Sequence, residues 1–337
     1  MMQGELPPLA VALGDPAGIG PEIIAKAYEA RSARGLHCFF AVGDARSLEL
    51  VWNGPIQRIE TPADAARVFE SALPLIQVDD PGEIIAGHPN PAGARCALDS
   101  LEMAVGLARS GAASGIVTGP VAKAELYAIG FNHAGQTEFV AERCGIAPEN
   151  VAMMMSGPSL KTVPITIHLP LREVPERLSV ELIVARGRTV ARGLIRDFGI
   201  PNPRLAVAGL NPHAGEAGVM GREEIDIIAP AIAMLQTEGI DATGPYPADT
   251  MFDAHARATY DAALCMYHDQ ALIPLKTLHF DEGVNVTLGL PIIRTAPDHG
   301  TAFALAGRGI ARPDAMIAAI ETAGSCAARR WAACEAR

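Results

Sequence analysis

The stretch that decides the fold is "LAVALGDPAGIGPEIIAKAYEARSA", residues 9–33. An apolar run passes through a turn with Gly14, Gly18 and Gly20 into a helix-like pattern that begins at Pro21. The turn has two interpretations: a tight strand-to-helix connection with proline in the first helical turn, or a loop that lets backbone approach a phosphate. Its spacing is not G-x-G-x-x-G, and it is not a P-loop because no Gly-Lys-Ser/Thr follows.

The same alternation recurs along the chain. Apolar runs followed by helical patterns are typical of parallel strands buried on both faces, so we predict an α/β fold with a doubly wound, mostly parallel sheet. Ligands bind beyond the carboxyl ends of the strands in such sheets. We expect the last dozen residues, "CAARRWAACEAR", to trail off from the fold. The predicted strands lie in residues 9–14, 38–43, 114–120, 163–171, 204–212 and 260–270.

Composition narrows the class of protein. The chain has 337 residues, enough for two domains, and 49% of them are hydrophobic, which supports a large core. A net charge of −11 argues against a nucleic-acid or anionic-membrane partner. The six cysteines form no C-x-x-C pair and are interpreted as small buried hydrophobes in a reducing compartment. With no signal-peptide pattern and no apolar run of about 18 residues, we expect a cytoplasmic protein.

Three histidines lie where predicted strands end. They are His168 in "TIHLPL", His213 in "GLNPHAGE" and His268 in "MYHDQ". Histidine is the commonest side-chain metal ligand, and three protein ligands with one open position suit a catalytic divalent ion. Their separations of 45 and 55 residues exclude zinc-finger and H-E-x-x-H patterns. For each histidine alone, the alternative is a hydrogen-bonded loop residue without a metal.

Several longer motifs resemble the 4-hydroxythreonine-4-phosphate dehydrogenase family of pyridoxal phosphate biosynthesis, from about residue 9 to about residue 320. A wider similarity links "GDPAGIGPE" and "DHGTAFALAGRGIARP" to the two cofactor segments of isocitrate and isopropylmalate dehydrogenases. The motifs that carry the family resemblance are "GDPAGIGPE" (14–22), "TGPVAK" (118–123), "GLNPHAGE" (209–216), "GPYPADTMF" (244–252), "MYHDQ" (266–270) and "GVNVTLGLPIIRT" (283–295).

The resemblance implies a two-domain fold like that of the isocitrate and isopropylmalate dehydrogenases. Residues 1–125 with 290–337 would form a discontinuous cofactor-side domain, and residues 126–289 a metal- and substrate-binding domain that also forms a homodimer. The active site would be shared between two subunits, with the chain as a homodimer around a small phosphorylated substrate. The family reaction oxidises 4-phosphooxy-L-threonine with NAD or NADP, and the β-keto acid product loses CO₂ to give 3-amino-2-oxopropyl phosphate.

The resemblance also implies roles for individual residues. His168, His213 and His268 match the ligands of one divalent metal, with Zn²⁺ expected first and Co²⁺ or Mg²⁺ as alternatives. Asp249 and Asp269 are candidates for orienting a histidine or handling protons, and Lys276 for catalysis as well as substrate binding. The substrate-binding set is Gln136, Thr137, Lys276, Asn285 and Arg294. The cofactor-binding set is Gly14, Asp15, Gly18, Gly20, His299, Gly300 and Gly307.

One residue departs from the family pattern, because Gln136 stands in "GQTE" where the family usually has G-H-T-E. A glutamine amide can donate a hydrogen bond to a phosphate but cannot carry charge. This leaves open a related dehydrogenase of a four-carbon sugar-acid phosphate, such as 4-phosphoerythronate or phosphothreonate. A non-catalytic metal- or nucleotide-binding regulator on the same fold is the rival from another class. The intact histidines and Lys276 argue against it.

Overall fold

The computed structural model describes residues 5–335, which fall into two compact units. The first unit runs as far as Gly145 and resumes at Leu290, and the second unit is Ile146–Gly289. We predicted the first crossing near residue 125. In the structure the first unit extends to Gly145, and near its end Arg143 donates from Nε to both carboxylate oxygens of Glu102 at 2.8 Å. The division into a cofactor-side and a metal-side domain stays a prediction.

The first unit contains a sheet in which every strand pair is parallel, with the order β3-β4-β2-β1-β5-β12. The residues of β1 are at most 2% exposed, as expected for a strand covered by helices on both faces. The strands, numbered in chain order, are β1 (Leu9–Ala12), β2 (Phe39–Gly43), β3 (Ile56–Arg58), β4 (Leu73–Gln77), β5 (Ile116–Thr118) and β12 (Arg294–Pro297).

Helices connect these strands. The first begins at Gly20 with Pro21 in its first turn, so the interpretation of a tight strand-to-helix connection is confirmed. Asn90 caps the long fifth helix by accepting from the Gly93 amide at 2.7 Å. The helices of this unit are α1 (Gly20–Glu29), α2 (Arg31–Arg34), α3 (Ala45–Glu49), α4 (Ala65–Val68), α5 (Pro91–Arg109), α6 (Lys123–Ala128), α7 (Gln136–Arg143) and α13 (Asp314–Glu335).

The sheet of the second unit is mixed, with the order β11-β6-β7-β10-β8-β9. Its β6 is antiparallel to both neighbours, and the remaining pairs are parallel. The strands are β6 (Ala152–Ser156), β7 (Lys161–Pro164), β8 (Arg204–Ala208), β9 (Asp241–Tyr246), β10 (Ala262–Cys265) and β11 (Val284–Leu288). The helices are α8 (Val174–Arg177), α9 (Val180–Phe198), α10 (Ala229–Thr237), α11 (Ala254–Arg257) and α12 (His268–His279).

The α/β class with mostly parallel strands is confirmed, and five of the six predicted strand regions contain a strand. The remaining region, 163–171, lies too late in the chain, because β7 ends at Pro164 and overlaps it by only two residues. The expectation for the last dozen residues is wrong as far as Glu335. There α13 continues, because Cys326 and Ala327 form part of an apolar helix face and are buried. The final two residues of that stretch lie outside the described residues. None of the helices between residues 5 and 335 is long and apolar enough to cross a membrane.

Candidate active site

The glycine turn of the first unit is packed tightly against its own protein. A Cβ added at Gly20 would lie 2.1 Å from the Leu13 carbonyl oxygen. Gly14 has a φ of +76°, and a Cβ there would lie 2.4 Å from the Pro120 carbonyl oxygen. These two glycines are therefore required by the turn itself, whether or not a ligand approaches it.

Asp15 lies within this turn and is 1% exposed. Its Oδ1 accepts a hydrogen bond from the Ala17 amide at 3.0 Å. Burial raises the pKa of Asp15 to about 6, and the negative charge of Glu125 acts in the same direction. At neutral pH the turn therefore carries an Asp15 carboxylate whose ionised form is disfavoured by its burial.

The turn meets the C-terminal segment that the sequence predicted as its partner. The Ile19 amide donates to the Thr301 carbonyl at 3.0 Å, and Gly18 packs against Thr301. Glu22 accepts from the Ala311 amide at 2.9 Å and from Lys26 at 2.8 Å. Two distant parts of the chain are thereby joined within one unit. The predicted cofactor residues His299, Gly300 and Gly307 lie in this segment and are exposed.

Arg294 is the centre of a buried polar cluster in the first unit. Its Nη2 donates to Thr118 Oγ1 at 3.0 Å and to Gln136 Oε1 at 3.2 Å, and its Nη1 donates to Thr137 Oγ1 at 3.3 Å. Strand β12 supplies Arg294, its neighbour β5 supplies Thr118, and the first turn of α7 supplies the other two. Burial lowers the pKa of Arg294 to about 10, against an opposing effect of the Glu138 charge.

Within this cluster, Gln136 has a specific orientation. Its Nε2 donates to the Gly119 carbonyl at 3.1 Å, and its Oε1 accepts from Arg294. The amide therefore links the guanidinium to the loop after β5. Sequence reasoning missed Thr118, although the quoted motif "TGPVAK" begins with it and it ends a parallel strand.

In the second unit, three adjacent parallel strands, β7, β10 and β8, end at one edge of the sheet. Side chains tie the segments that follow them together. Thr166 Oγ1 donates to the Met266 carbonyl at 2.8 Å, and Gln270 Nε2 donates to the Gly209 carbonyl at 2.8 Å. The three predicted histidine ligands each follow one of these strands.

The structure brings two of these histidines together. The ring centroids of His168 and His268 are 5.7 Å apart. Nδ1 of His268 lies 2.7 Å from Oδ1 of Asp269, and because a carboxylate only accepts, this nitrogen carries the proton. In the neutral ring Nε2 would then hold the lone pair that a metal ion needs, and the role of Asp269 in orienting a histidine stays a prediction. A cavity of about 250 Å³ at this place is lined by Thr166, His168, Leu169, Leu171, Val174, Tyr267, His268 and Asp269.

The third histidine, His213, lies on a turn with unusual backbone geometry. Residues 213–217 all have positive φ between 43° and 79°, and only Gly215 among them is a glycine. Each non-glycine residue in this conformation costs roughly 1 kcal/mol or more. His213 is exposed, and His168 also has a positive φ, of 55°. Among residues 5–335, no group of three His, Cys, Asp or Glu side chains is placed to hold a metal ion.

The remaining predicted residues of the second unit lie on three different elements. Asp249 is exposed in a short turn after β9, and Lys276 is half-buried in α12. Asn285 lies in β11 opposite Met155 of β6. Its Oδ1 is buried and has no hydrogen-bond partner among the described residues, so it is a polar atom that a ligand could satisfy.

Comparison with known proteins identifies close relatives. The family model of the pyridoxal phosphate biosynthetic protein PdxA matches residues 36–323. A 4-hydroxythreonine-4-phosphate dehydrogenase of Erythrobacter litoralis is 59% identical over 96% of this chain and 97% of its own length. One of Zymomonas mobilis is 56% identical over 96% and 97%. The crystal structure of a 4-hydroxythreonine-4-phosphate dehydrogenase from Klebsiella pneumoniae superposes with a TM-score of 0.85 at 37% identity, covering 95% of this chain and 99% of that one.

Proposed function

The chain belongs to the family of the pyridoxal phosphate biosynthetic protein PdxA, and on that premise we propose that it is an NAD(P)-dependent dehydrogenase of 4-phosphooxy-L-threonine. Oxidation removes a hydride from C3 and the proton from its hydroxyl group. The resulting β-keto acid loses CO₂ and becomes 3-amino-2-oxopropyl phosphate, in pyridoxal phosphate biosynthesis. Two 4-hydroxythreonine-4-phosphate dehydrogenases that are 56–59% identical to this chain over nearly its whole length support this assignment.

The observation that carries the proposal is the buried Arg294 cluster. The guanidinium is buried and donates to the side chains of Thr118, Gln136 and Thr137. A buried cation gains from an anionic partner, and the planar guanidinium matches a phosphate or carboxylate. The adjacent N-terminus of α7 adds a favourable dipole. We assign this cluster to an anionic group of the substrate. Lys276 and Asn285 of the second unit are proposed as substrate-binding residues on the family resemblance alone.

We propose that His168 and His268 supply two ligands of a divalent metal, although no group of three such side chains is placed to hold one within residues 5–335. His168 and His268 face each other, Asp269 fixes the protonated nitrogen of His268, and imidazole donors suit Zn²⁺ or Co²⁺. His213 is the third proposed ligand, and its exposed position is compatible with a site shared between two subunits of a homodimer. When bound, the metal would lower the pKa of the substrate hydroxyl and stabilise negative charge on its oxygen.

Proton transfer is assigned to residues of the second unit. Asp269 is occupied by His268, so its role is to orient that ring. The Asp249 carboxylate is the proposed acceptor of the hydroxyl proton, and the Lys276 ammonium is the proposed donor of the proton that replaces CO₂. Their substitution would lower kcat more than it raises KM if they act in the chemical step.

The hydride acceptor is proposed to bind the first unit. The turn at Gly14–Gly20 and the segment at 298–313 lie together there, which supports a dinucleotide site built from both. The cofactor would accept the C3 hydride as NAD⁺ or NADP⁺. Gly18, His299, Gly300 and Gly307 are the assigned contacts, because Gly14 and Gly20 already have a packing role.

The test is a substrate panel on the purified full-length protein. Each of 4-phosphooxy-L-threonine, 4-phosphoerythronate and phosphothreonate is assayed with NAD⁺ or NADP⁺ and with Zn²⁺, Co²⁺ or Mg²⁺. We expect reduced cofactor and CO₂ in equal amounts with the first substrate. The uncharged Gln136 is the observation that favours the sugar-acid phosphates as a second candidate. Turnover confined to those substrates would transfer the assignment to them, and no turnover with any would favour a non-catalytic binding protein.

A further inference from the structure

The carboxylate of Glu224 is buried beneath the turn that carries His213. Glu224 is 4% exposed and begins the π-helical turn Glu224–Ile228. Its Oε1 accepts from the amides of Leu210 and Asn211, both at 2.8 Å. Its Oε2 accepts from Asn211 Nδ2 at 3.0 Å. One side chain thus satisfies three donors immediately before the left-handed residues 213–217.

The turn leaves space for this carboxylate. A Cβ added at Gly215 would lie 2.5 Å from Glu224 Oε2, and one at Gly209 would lie 3.1 Å from Oε1. Gly215 is buried, so the space beside it is filled by the carboxylate and not by solvent. Both glycines therefore leave the room that the Glu224 side chain fills.

We propose that Glu224 is a positioning residue that holds the left-handed turn and so keeps the His213 imidazole ready for its metal ion. This inference rests on the proposed metal site. A run of left-handed non-glycine residues is unfavourable by itself and persists only where surrounding interactions determine it. Backbone bonds within the turn, such as Met220 N to the Gly215 carbonyl at 3.1 Å, close the loop but do not anchor it to the rest of the unit. Glu224 supplies that anchor.

The test compares Co²⁺ affinity among full-length variants freed of metal, followed by the visible absorption of bound Co²⁺. In Glu224→Gln, the amide oxygen still accepts the backbone donors, but the amide nitrogen meets Asn211 Nδ2, which is also a donor. The matched control is Asp226→Asn, in the same turn, where the carboxylate is exposed and pairs with Arg222. We expect affinity about tenfold weaker for Glu224→Gln, a change typical of residues that orient metal ligands, and none for Asp226→Asn.

Thermal unfolding of the same metal-free samples separates positioning from mere structural support. A purely structural Glu224 would lower the melting temperature while leaving the Co²⁺ affinity and absorption spectrum of the folded protein unchanged. That result, or an affinity of Glu224→Gln within twofold of wild type, overturns the inference. If Glu224→Gln does not fold, Asn211→Ala keeps the backbone donors but removes the side-chain hydrogen bonds to Glu224 and Glu223, and it is expected to weaken Co²⁺ binding a few-fold. Unchanged affinity in that variant also overturns the inference.

His213→Ala tells this inference apart from the proposed function. If wild type and His213→Ala bind Co²⁺ equally, the proposed metal site is wrong, and the role of Glu224 falls with it. If His213→Ala loses Co²⁺ binding while Glu224→Gln keeps it, the metal site stands and only the role of Glu224 is rejected.

Discussion

The first-unit region around Asp15 and Arg294 and the second-unit region around His213 hold their functional groups in different ways. In the first, the pKa of the buried Asp15 carboxyl is raised and that of the buried Arg294 guanidinium is lowered. In the second, the buried Glu224 carboxylate is saturated by three donors, but the backbone beside it is left-handed. Five of the six described non-glycine residues with positive φ lie in the second unit.

The two units differ in which groups carry the unfavourable free energy of the site: buried charges in the first and left-handed backbone in the second. Desolvated charges in the first unit favour a ligand of complementary charge, because binding replaces the lost hydration. A strained backbone in the second unit fixes the direction of an imidazole, and direction is what a metal ligand requires. We therefore expect ligand binding in the first region to change when a charged side chain is replaced. In the second region we expect it to change when a contact that holds the left-handed turn is removed.

The largest effect is expected from removing the proposed metal ligand His213 in the second unit. His213→Ala should abolish turnover and metal binding while the protein stays folded, because His213 is exposed and outside the core. Prolonged chelation of wild type should have the same result, with recovery on adding a divalent ion. His255→Ala, at an exposed histidine of α11, is the control. Full turnover in protein shown by elemental analysis to be metal-free would contradict the three-histidine site.

The next effect concerns charge in the first unit. Arg294→Met should raise KM for the phosphorylated substrate by about 100-fold, since roughly two charge-assisted hydrogen bonds are lost. The melting temperature should not fall, because the substitution removes a desolvated charge from the interior. Steady-state kinetics measure the KM and thermal unfolding measures the melting temperature. The control is Arg188→Met, at an arginine whose side chain is 41% exposed. An unchanged KM together with a large loss of stability would mean that Arg294 is only a structural residue.

A smaller effect is expected at Asp15. Its folded-state pKa of about 6 exceeds its ordinary value of 3.8, so the folded protein binds the proton more tightly than the unfolded chain. This group therefore lowers stability as the pH rises from about 4 to about 6. Asp15→Asn should match wild type near pH 4 and exceed it by roughly 2 to 3 kcal/mol at pH 7.5. Denaturant unfolding at both pH values measures it, and a difference that does not depend on pH would contradict the assignment.

The smallest effect is expected at Gln136. Gln136→His should lower KM for 4-phosphooxy-L-threonine a few-fold and barely change kcat, because a charged donor strengthens a phosphate contact by about 1 kcal/mol. The glutamine already accepts from Arg294 and donates to Gly119, so its replacement also tests whether these contacts matter. Steady-state measurement of KM and kcat with phosphorylated and unphosphorylated substrates tests this prediction. A wild-type preference for an unphosphorylated substrate would show that "GQTE" marks a different substrate class.

Local patterns in the sequence determined the fold class. Buried parallel strands are continuous apolar runs, so β1, β2, β5, β7, β8 and β10 could be found one at a time. Six strands were missed: β3, β4, β6, β9, β11 and β12. The short and mostly exposed β3, and β12 with the charged Arg294, lack a continuous apolar run. The antiparallel direction of β6 and β11 was also missed, because direction depends on which strand pairs with which and leaves no local trace.

The candidate site divides in the same way. The strand-end pattern indicated the three histidines, and the resemblance added Arg294 and the two predicted cofactor segments, because motifs record residue types at fixed positions. Only the tertiary structure placed Thr118 against Arg294, Glu224 beneath the His213 turn and Asp269 against the neighbouring His268. It also separated His213 from any three-residue metal cluster within residues 5–335. The physical reason is that burial, hydrogen-bond partners and backbone strain arise from groups distant in sequence, and these exist only once the chain has folded.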